Sequence, residues 1–381
     1  NLYHPEVEEK SIDLYFKYGV THVEAAAFMT ITPALIRFRV KGLKRLPDGT
    51  IARPHKVIAK LSRPEVAVQY LSPPPEKVIQ RLLTEGKITQ EEAELSKFIP
   101  MAEDITVEAD SGGHTDKGIA YALMPAFMRF RDEAMAKHKY PVRIRIGAAG
   151  GLGTPQSIAA AFVLGADYVL TGSINQCTVE AGTSDIAKDL LAGASMADTE
   201  MAPAGDMFEL GVQVQVLRKG TFFPQRAQKL YELWKRHNSL EDIEPKEREN
   251  LEKKVFKKTF NEIYESVKEF FGRVDPAQVV KAEANPKHKM ALVFRWYLGL
   301  SSRWGIKGEA EHKVDFQIHT GPAQGAFNEW VKGTRLEDWR NRHVDEIADL
   351  LMQGAAKILT GRLMAFTGRP IPGFDFNLTP R

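Results

Sequence analysis

Three short apolar segments, each followed by a glycine-rich turn, lie between residues 105 and 173. They are Ile105-Thr-Val-Glu-Ala-Asp110 before Ser-Gly-Gly-His114, Val142-Arg-Ile-Arg-Ile146 before Gly147-Ala-Ala-Gly-Gly-Leu-Gly-Thr-Pro155, and Tyr168-Val-Leu170 before Thr-Gly-Ser173. Short apolar runs that alternate with helix-length segments are typical of parallel strands joined by crossover helices. This stretch therefore predicts the core of an α/β fold.

Strand-like segments recur near residues 22, 57, 105, 143 and 168, with helical patterns between them. An open doubly wound sheet can hold five parallel strands, whereas a (β/α)8 barrel needs eight. Past Phe223 the alternation stops and amphipathic helical patterns take over, among them residues 226–237, 246–271 and 343–366. We therefore predict a strand-containing domain over residues 1–222 and a mainly helical subdomain over residues 223–381.

The composition is that of an ordinary globular protein. The chain has 381 residues, of which 43% are apolar and 27% are charged, so it can bury a sizeable core. A net charge of +3 is too small to indicate a nucleic-acid partner, and no apolar run has the length of a membrane span. A single cysteine, Cys177, excludes an internal disulfide and favours a reducing, cytoplasmic compartment. No metal site is predicted.

Two of the glycine turns are suited to hold a phosphate group. Gly150-Gly151 and Gly172-Ser173 each follow a predicted strand and are separated by a single predicted helix. Glycine lets backbone N–H groups approach an anion closely, and the loops after the last two strands of a parallel barrel form such a site. Ordinary tight turns are the alternative, but the tandem arrangement favours a phosphate. The dinucleotide fingerprint and the Walker loop are both absent from these turns.

His114 directly follows two glycines at the end of a predicted strand, where its side chain can reach a bound ligand. A histidine there can donate a proton, can hydrogen-bond to a flavin or a substrate, or can simply cap the loop. Glu108 and Asp110 alternate with apolar residues on the same strand. Because carboxylates are seldom buried unpaired, they either bind a ligand or pair with a cation such as Lys60.

Three further features have a simple structural interpretation beside a functional one. Cys177 follows the last strand, and we favour a small buried residue over a nucleophile. The glycine-rich segment Gly321–Asn328 is more simply a connection between helices than a lid or a substrate-contacting turn. A basic cluster either contacts an acidic carrier or is a solvated face; it comprises Lys281, Lys287, His288 and Lys289.

Taken together, these motifs resemble a known family. Glu108-Ala-Asp-Ser-Gly-Gly-His-Thr-Asp116, the glycine turn Gly147–Pro155 and Thr171-Gly-Ser-Ile-Asn-Gln176 are similar to the flavin-dependent enoyl reductases of the 2-nitropropane dioxygenase-like superfamily. Longer blocks narrow the resemblance to the PfaD branch, found in polyunsaturated fatty acid synthases and, acting in trans, in polyketide synthases. These blocks are Ile58–Ala67, Ala202–Glu209, Gln215–Thr221 and Gly321–Trp330.

The resemblance implies a (β/α)8 TIM barrel that binds FMN. Implied cofactor contacts are the phosphate turns Gly150, Gly151, Gly172 and Ser173, the loop residues Ser111, Gly112 and Gly113, and the strand residues Lys60 and Glu108. Family members begin with further strands, one of which ends in an Asn-Leu pair. This chain opens with Asn1-Leu2, so it resembles a barrel truncated to about five strands. We therefore expect it to bind FMN poorly or not at all.

The resemblance also implies a reaction. Hydride from NADPH, or NADH, would pass through the flavin to the β-carbon of a 2-enoyl thioester on an acyl carrier protein, and His114 is the candidate proton donor at the α-carbon. Implied partners are subunits of a polyunsaturated fatty acid or polyketide synthase, and the superfamily's habits favour a homodimer. Two alternatives stay open: a nitronate monooxygenase on the same fold, and a non-catalytic subunit that docks carrier proteins. Neither a nucleic acid nor a membrane is an expected partner.

Overall fold

A computed structural model gives the fold, and it describes residues 5–26, 30–376 and 380. The chain divides into two compact units. The first runs to residue 110 and also contains residues 116–152 and 157–170, and the second contains residues 111–115, 153–156 and 171–381. The domain boundary predicted between residues 222 and 223 lies inside the second unit. The opening Asn1-Leu2 pair lies outside the described residues.

The strands within the described ranges, in chain order, are β1 (His22–Ala26), β2 (Lys44–Arg45), β3 (Ile51–Ala52), β4 (Lys56–Leu61), β5 (Asp104–Glu108), β6 (Gly113–His114), β7 (Arg145–Ala149), β8 (Tyr168–Leu170), β9 (Thr199–Pro203) and β10 (Gln213–Leu217).

The α-helices in the same ranges are α1 (Pro5–Lys17), α2 (Pro33–Val40), α3 (Pro64–Leu71), α4 (Glu76–Thr84), α5 (Gln90–Leu95), α6 (Ala120–His138), α7 (Pro155–Val163), α8 (Asp185–Ala192), α9 (Phe223–Arg236), α10 (Pro245–Leu251), α11 (Phe260–Val274), α12 (Pro276–Ala284), α13 (Pro286–Lys307), α14 (Pro322–Val331) and α15 (Val344–Phe366). Short 3-10 turns cover Ser96–Phe98, Ser173–Cys177, Phe208–Leu210, Ala310–Asp315, Arg335–Glu337 and Trp339–Asn341, and a π-turn covers Glu252–Phe256.

The first unit is built on one parallel sheet. Its strand order is β1-β4-β5-β7-β8, so neighbouring strands follow each other along the chain without a reversal. A doubly wound sheet reverses its order at a switch point, whereas the wall of a (β/α)8 barrel does not. The five predicted parallel strands are confirmed, and their order is that of a barrel wall.

One strand lies further along the chain than its apolar pattern predicts. The pattern predicts Val142–Ile146, but β7 covers Arg145–Ala149 and so includes Gly147. A Cβ atom on Gly147 would lie 2.2 Å from the ring of Tyr168 on the neighbouring β8. A glycine is therefore needed at position 147 to make room for the Tyr168 ring within the sheet, and not to begin a turn.

Several helix boundaries follow from local signals in the sequence. Thr32 caps α2 by accepting a hydrogen bond from the N–H of Leu35, and Pro33 occupies the first turn. Thr89 and Glu92 form the predicted capping box of α5. Gly19, with φ of 65°, follows the end of α1. The starts of α2 and α5 are thus fixed by side chains that accept hydrogen bonds from backbone N–H groups and, at Pro33, by a residue that has no N–H group. The sequence shows such residues directly.

The second unit holds a small antiparallel sheet and most of the helices. The sheet has the order β6-β10-β9. The core of the second unit contains large aromatic side chains with no exposed surface. They come from α9, α11 and α13 and are Phe223, Phe260, Phe294 and Tyr297. The mainly helical character predicted beyond residue 223 is confirmed. The sheet itself was not predicted, since residues 199–217 carry no long strand pattern.

The amphipathic helix predicted over residues 246–271 is wrong as a single element. The chain forms α10, passes through the π-turn, and starts α11 afresh at Phe260. Lys257 adopts a left-handed conformation with φ of 55°, and Thr259 then forms a capping box with Glu262. The hydrophobic spacing continues across the break because both helices face the same core. The predicted final helix over residues 343–366 is confirmed as α15.

Within the described ranges, none of the helices combines the length and the apolar character that crossing a bilayer requires.

A buried arginine on α2 generates a test of the first unit. The Arg39 side chain is fully buried and donates hydrogen bonds to the carbonyls of Pro100 and His55 and to the Glu103 carboxylate. Removing one partner of a buried ion pair is strongly destabilising. We expect Arg39→Ala to lower the free energy of unfolding by about 3 kcal/mol, measured from the urea transition in far-UV circular dichroism.

The control is Arg45→Ala, an exposed arginine, for which we expect a change of about 0.5 kcal/mol or less. All five tryptophans lie beyond residue 233, within the second unit, so tryptophan fluorescence reports that unit alone. Equal unfolding transitions for the two variants would contradict the role given to Arg39.

Candidate active site

The loop that carries His114 belongs to the antiparallel sheet of the second unit. His114 and Gly113 form β6 and pair with Val214 and Gln215 of β10. Gln215 also donates a side-chain hydrogen bond to the carbonyl of Ser111 at 2.7 Å. The predicted turn is thus partly a strand, and two sets of hydrogen bonds hold its backbone in place. His114 has a fixed position as a result.

The two glycines before His114 are required by a close neighbour. A Cβ atom on Gly112 would lie 2.7 Å from the backbone of Thr320, and one on Gly113 would lie 3.1 Å from Nδ1 of His319. Gly113 also has a φ of 78°, which side chains rarely tolerate. Any side chain at these positions would push away the extended segment Phe316–Thr320.

Gly321, the residue after this segment, contacts Ser173, another residue of the predicted site. The N–H of Gly321 donates to the Ser173 hydroxyl at 2.9 Å, and a Cβ atom on Gly321 would lie 3.0 Å from the nitrogen of Gly112. Ser111, Gly112 and Ser173 are therefore brought together around Thr320 and Gly321. The glycine-rich stretch after residue 320, which we favoured as a plain connection, begins as part of this cluster and continues as α14.

His114 has a carboxylate partner. Its Nε2 atom lies 3.2 Å from Oδ1 of Asp206, and the histidine side chain is 36% exposed. This hydrogen bond lowers the pKa of Asp206 below its usual value, against the opposing effect of partial burial. Asp206 thus stays ionised at neutral pH and orients an imidazole that a ligand can still reach.

A second histidine, His319, lies against Gly113, the residue that precedes His114. The amide of Gln317 donates to Nε2 of His319 at 2.7 Å, and Gln176 donates to the His319 carbonyl at 2.5 Å. Burial lowers the pKa of His319, and the charge of His114 lowers it further. His319 is therefore the neutral member of the pair, held by two amides, while His114 faces Asp206.

These polar groups open into a largely apolar cavity of about 510 Å³. His114, Asp206, Gln317 and His319 line it together with side chains of α11 and α13. The apolar contributors include Val267, Phe270, Phe271, Leu292, Trp296, Leu298 and Leu300, and two arginines, Arg295 and Arg303, also line it. Cavities of this size and character bind small organic ligands, with a few polar groups that fix the ligand's orientation.

In the first unit, Lys60 and Glu108 form an ion pair. Their charged atoms are 3.8 Å apart, and Glu24 on β1 lies 3.4 Å from the same ammonium group. Of the two alternatives left open for Glu108, the structure shows the ion pair with Lys60, and Glu24 is a second partner of Lys60 that the sequence did not reveal. Whether these residues also contact a cofactor stays a prediction.

The phosphate-turn glycines differ in what surrounds them. A Cβ atom on Gly150 would lie 2.6 Å from the Ala109 backbone, whereas one on Gly151 or Gly172 would meet nothing within 4 Å. Gly150 and Gly151 have φ values of 87° and 72°. Gly150 is therefore needed for packing between strands, while Gly151 and Gly172 face open space. The phosphate role of these residues and of Ser173 stays a prediction.

Cys177 is buried, as predicted. Burial raises the pKa of its thiol to about 11, and its sulfur accepts a hydrogen bond from Arg342 at 3.3 Å. A thiol with this pKa is protonated at neutral pH and is a poor nucleophile.

Comparison with known proteins identifies the family. The enoyl reductase domain of MlnA, from the macrolactin biosynthesis cluster of Bacillus amyloliquefaciens, shares 47% identity with this chain and aligns with a TM-score of 0.91. The alignment covers 95% of this chain and 81% of that one. The chain belongs to the PfaD-type enoyl reductase family. The predicted class, an α/β barrel-type sheet with a helical C-terminal part, is confirmed for this family member.

Two curated relatives are much longer proteins. The polyketide biosynthesis protein PksE of Bacillus subtilis is 56% identical over 365 residues, which are 96% of this chain and 47% of PksE. A polyunsaturated fatty acid synthase protein of Thraustochytrium, one of the subunits of that synthase, is 45% identical over 335 residues, which are 87% of this chain and 22% of the relative. This chain therefore spans less than half the length of either relative.

One family model matches part of the helical region. It describes the inserted helical domain of [acyl-carrier-protein] S-malonyltransferase and matches residues 237–316. This range contains α11 and α13, the two helices that line the cavity.

Sequence reasoning missed three polar residues of this candidate site: Asp206, Gln317 and His319. Asp206 lies in the block Ala202–Glu209 that supported the family resemblance, so a polar residue in that block was a usable signal. Gln317 and His319 stand in Phe316-Gln-Ile-His-Thr320, where polar and apolar residues alternate as in a strand. Their nearness to His114 had no signal, because a long stretch of chain separates them from it.

The close approach at Gly112 leads to a test of stability. We expect Gly112→Ala to lower the free energy of unfolding of the second unit by about 2 kcal/mol, because the new methyl group collides with the Thr320 backbone. The measurement is the urea midpoint of tryptophan fluorescence. Gly272→Ala is the matched control, since Gly272 is an exposed residue of α11 whose Cβ would meet nothing within 4 Å. Equal midpoints for both variants would show that Thr320 yields freely.

Proposed function

We propose that this chain is an FMN-dependent enoyl reductase that reduces the 2,3-double bond of an enoyl thioester carried by an acyl carrier protein. NADPH, or NADH, is the hydride donor. The observation that carries the proposal is the cavity in which the His114 and Asp206 pair meets the apolar faces of α11 and α13.

The lining of the cavity suits an acyl chain. Seven apolar side chains of α11 and α13 face it, among them Phe270, Leu292 and Trp296. Removing an alkyl chain from water contributes about 0.8 kcal/mol for each buried methylene. A chain bound along these helices would present its thioester end to the polar group around His114.

The glycine turns fit a flavin phosphate. Gly151 in the first unit and Gly172 in the second have open space where a side chain would stand, which is the property that lets a phosphate approach backbone N–H groups. In the second unit, the Thr320 hydroxyl is buried and has no hydrogen-bond partner within the described part of the chain. We assign the phosphate to Gly150, Gly151, Gly172 and Ser173, and the flavin's surroundings to Ser111–Gly113, Lys60 and Glu108.

When bound, FMN would supply hydride transfer between the nicotinamide and the double bond. The task left to the protein is the proton at the α-carbon. His114 is the accessible acid, and Asp206 holds its ring in one orientation and stabilises positive charge on it. His319 is neutral and accepts a hydrogen bond from Gln317, so it does not compete with His114 as the proton donor.

The relatives support a place in a synthase. PksE is a polyketide biosynthesis protein, and the Thraustochytrium relative belongs to a polyunsaturated fatty acid synthase. The match of residues 237–316 to a domain of an acyl-carrier-protein malonyltransferase supports a carrier-bound substrate. We infer synthase subunits and an acyl carrier protein as partners. A homodimer and a cytoplasmic location are sequence-based predictions.

The cofactor assignment is tested by titrating the purified chain with FMN and following the quenching of flavin fluorescence. We expect Gly172→Ala to weaken FMN binding by roughly tenfold, because its methyl group enters the space proposed for the phosphate. The same titration on the wild-type chain tests the expectation of weak binding. Unchanged tryptophan-fluorescence unfolding in Gly172→Ala shows that the fold is intact, and an unchanged dissociation constant would remove Gly172 from the phosphate site.

The role of His114 is tested by stopped-flow kinetics at saturating FMN. We expect His114→Ala to slow the reoxidation of reduced flavin by crotonyl thioester by roughly 100-fold or more, and to leave reduction by NADPH unchanged. Asp206→Asn should give a smaller loss, because the ring keeps a hydrogen-bond partner but loses the nearby charge. The control is His22→Ala, an exposed histidine on β1. A wild-type rate in His114→Ala would mean that solvent supplies the proton.

The alternatives give different results in the same instrument. A nitronate monooxygenase would reoxidise its flavin with oxygen and a small nitronate, and not with the thioester. A largely apolar cavity of about 510 Å³ favours the acyl substrate over such a small one. A non-catalytic docking protein would reoxidise reduced flavin with neither the thioester nor the nitronate, even at saturating FMN.

A further inference from the structure

Of the two arginines that line the cavity, Arg303 is the one that has no partner among the described residues. It lies on α13, lines the cavity and is exposed. Within the described ranges, no hydrogen bond, ion pair or ring contact engages its guanidinium group. Its side chain is thus available to a ligand that enters the cavity.

The second arginine of the cavity is occupied. Arg295 donates from Nε to the carbonyl of Gly205 at 2.8 Å, and its guanidinium lies 4.0 Å from the Glu209 carboxylate. It supports the segment that carries Asp206. Asp206 itself, the carboxylate that lines the cavity, is paired with His114. Arg303 is therefore the arginine of the cavity lining without an ion-pair partner in the described part of the chain, and its charge favours an anion.

The predicted basic cluster does not offer a comparable charge. The Lys287 ammonium donates to the carbonyls of Trp234 and His237, and His288 is buried between Glu209 and Gln278. The Lys289 ammonium lies 4.3 Å from the centre of the Tyr264 ring. These three cations contribute to packing inside the helical region, and Lys281, the fourth residue of the cluster, is exposed outside the cavity lining. The carrier-binding interpretation of this cluster stays a prediction.

The position of Arg303 along α13 relates it to the polar end of the cavity. A Cβ atom on Gly205, next to Asp206, would lie 3.1 Å from Leu298 and 3.8 Å from the nitrogen of Gly299. Arg303 is about one helical turn, or roughly 6 Å, beyond Gly299 on the same cavity-lining face. A ligand that contacts His114 can therefore extend along this face of α13 towards Arg303.

We propose that Arg303 binds the phosphate of the phosphopantetheine arm that carries the thioester, a role that rests on the proposed function. The arm joins an anionic phosphate to a thioester through an uncharged linker. Along α13 the cavity offers the matching order of groups. Arg303 lies at one end and Gly299 lies beside the segment of Asp206, whereas Leu292 and Trp296, which the proposed function gives to the acyl chain, lie on the other side. A guanidinium suits a phosphate because it presents several N–H donors in one plane.

A matched pair of ligands isolates the phosphate. Butyryl-phosphopantetheine and butyryl-pantetheine differ by that group alone, and neither has a double bond to reduce. Isothermal titration calorimetry on the full chain with FMN measures their binding to the wild type, Arg303→Ala, Arg303→Lys and Arg273→Ala. Arg273 is an exposed arginine of α11 that does not line the cavity, so Arg273→Ala is the control.

We expect the wild type to bind the phosphorylated ligand roughly tenfold more tightly than the other. Arg303→Ala should abolish that preference without changing butyryl-pantetheine binding, and Arg303→Lys should restore part of it. Equal affinities of the two ligands for the wild type, or an equal loss for both ligands in Arg303→Ala, would each overturn the assignment.

Turnover separates this inference from the proposed function. Crotonyl-phosphopantetheine, crotonyl-CoA and a crotonyl-loaded acyl carrier protein are compared as substrates of the wild type and Arg303→Ala. An Arg303-dependent binding preference without reduction of any thioester would sustain the phosphate site and end the reductase proposal. Reduction of all three with no effect of Arg303→Ala would do the opposite. A loss seen only with the carrier-borne or only with the CoA thioester identifies which source of the arm is recognised.

Discussion

The arrangement of the site depends on one steric condition: the absence of side chains at Gly112 and Gly113. Only because these residues lack a Cβ atom can the segment Phe316–Thr320 lie against the loop, with the Thr320 backbone 2.7 Å from where a methyl group would stand. That contact brings His319 beneath His114, and the N–H of Gly321 to Ser173. A packing requirement thus determines the surroundings of the residue proposed to act in catalysis.

The cavity of the second unit combines two kinds of interaction. The walls from α11 and α13 give a non-directional preference for alkyl groups, which grows with the area buried. The groups around His114 are directional, since Asp206, Gln317 and His319 are held by hydrogen bonds of 2.7–3.2 Å. Hydrogen bonds among partly buried groups are costly to leave unmade, so this cluster keeps its geometry while the apolar walls accept ligands of varied length. This combination suits the proposed substrate, whose reacting end is constant and whose chain varies.

The predictable parts of the site were those with local signals. His114 after two glycines, the glycine turns after β5, β7 and β8, and the pairing of Glu108 with Lys60 all followed from strand alternation and the chemistry of single residues. Asp206 and His319 did not, because what makes them part of the site is a contact across a long stretch of chain. The helix over residues 246–271 failed for a related reason: its hydrophobic spacing was continuous, and the break came from a left-handed Lys257 and a fresh capping box at Thr259. The capping box was visible in the sequence and outweighed the periodicity.

By itself, the sequence determined the α/β class, the five parallel strands, the helical region beyond residue 223, and the family, because apolar periodicity, glycine turns and caps act over a few residues. The tertiary structure decided which of the glycines are needed for packing and which face open space, and it decided which cations are occupied. In the sequence, Lys287 and Arg303 are both basic residues of α13. In the structure, the Lys287 ammonium donates to two backbone carbonyls, whereas Arg303 lines a cavity and has no partner among the described residues. That difference depends on what the fold places within about 3 Å of each charge, and no local pattern contains it.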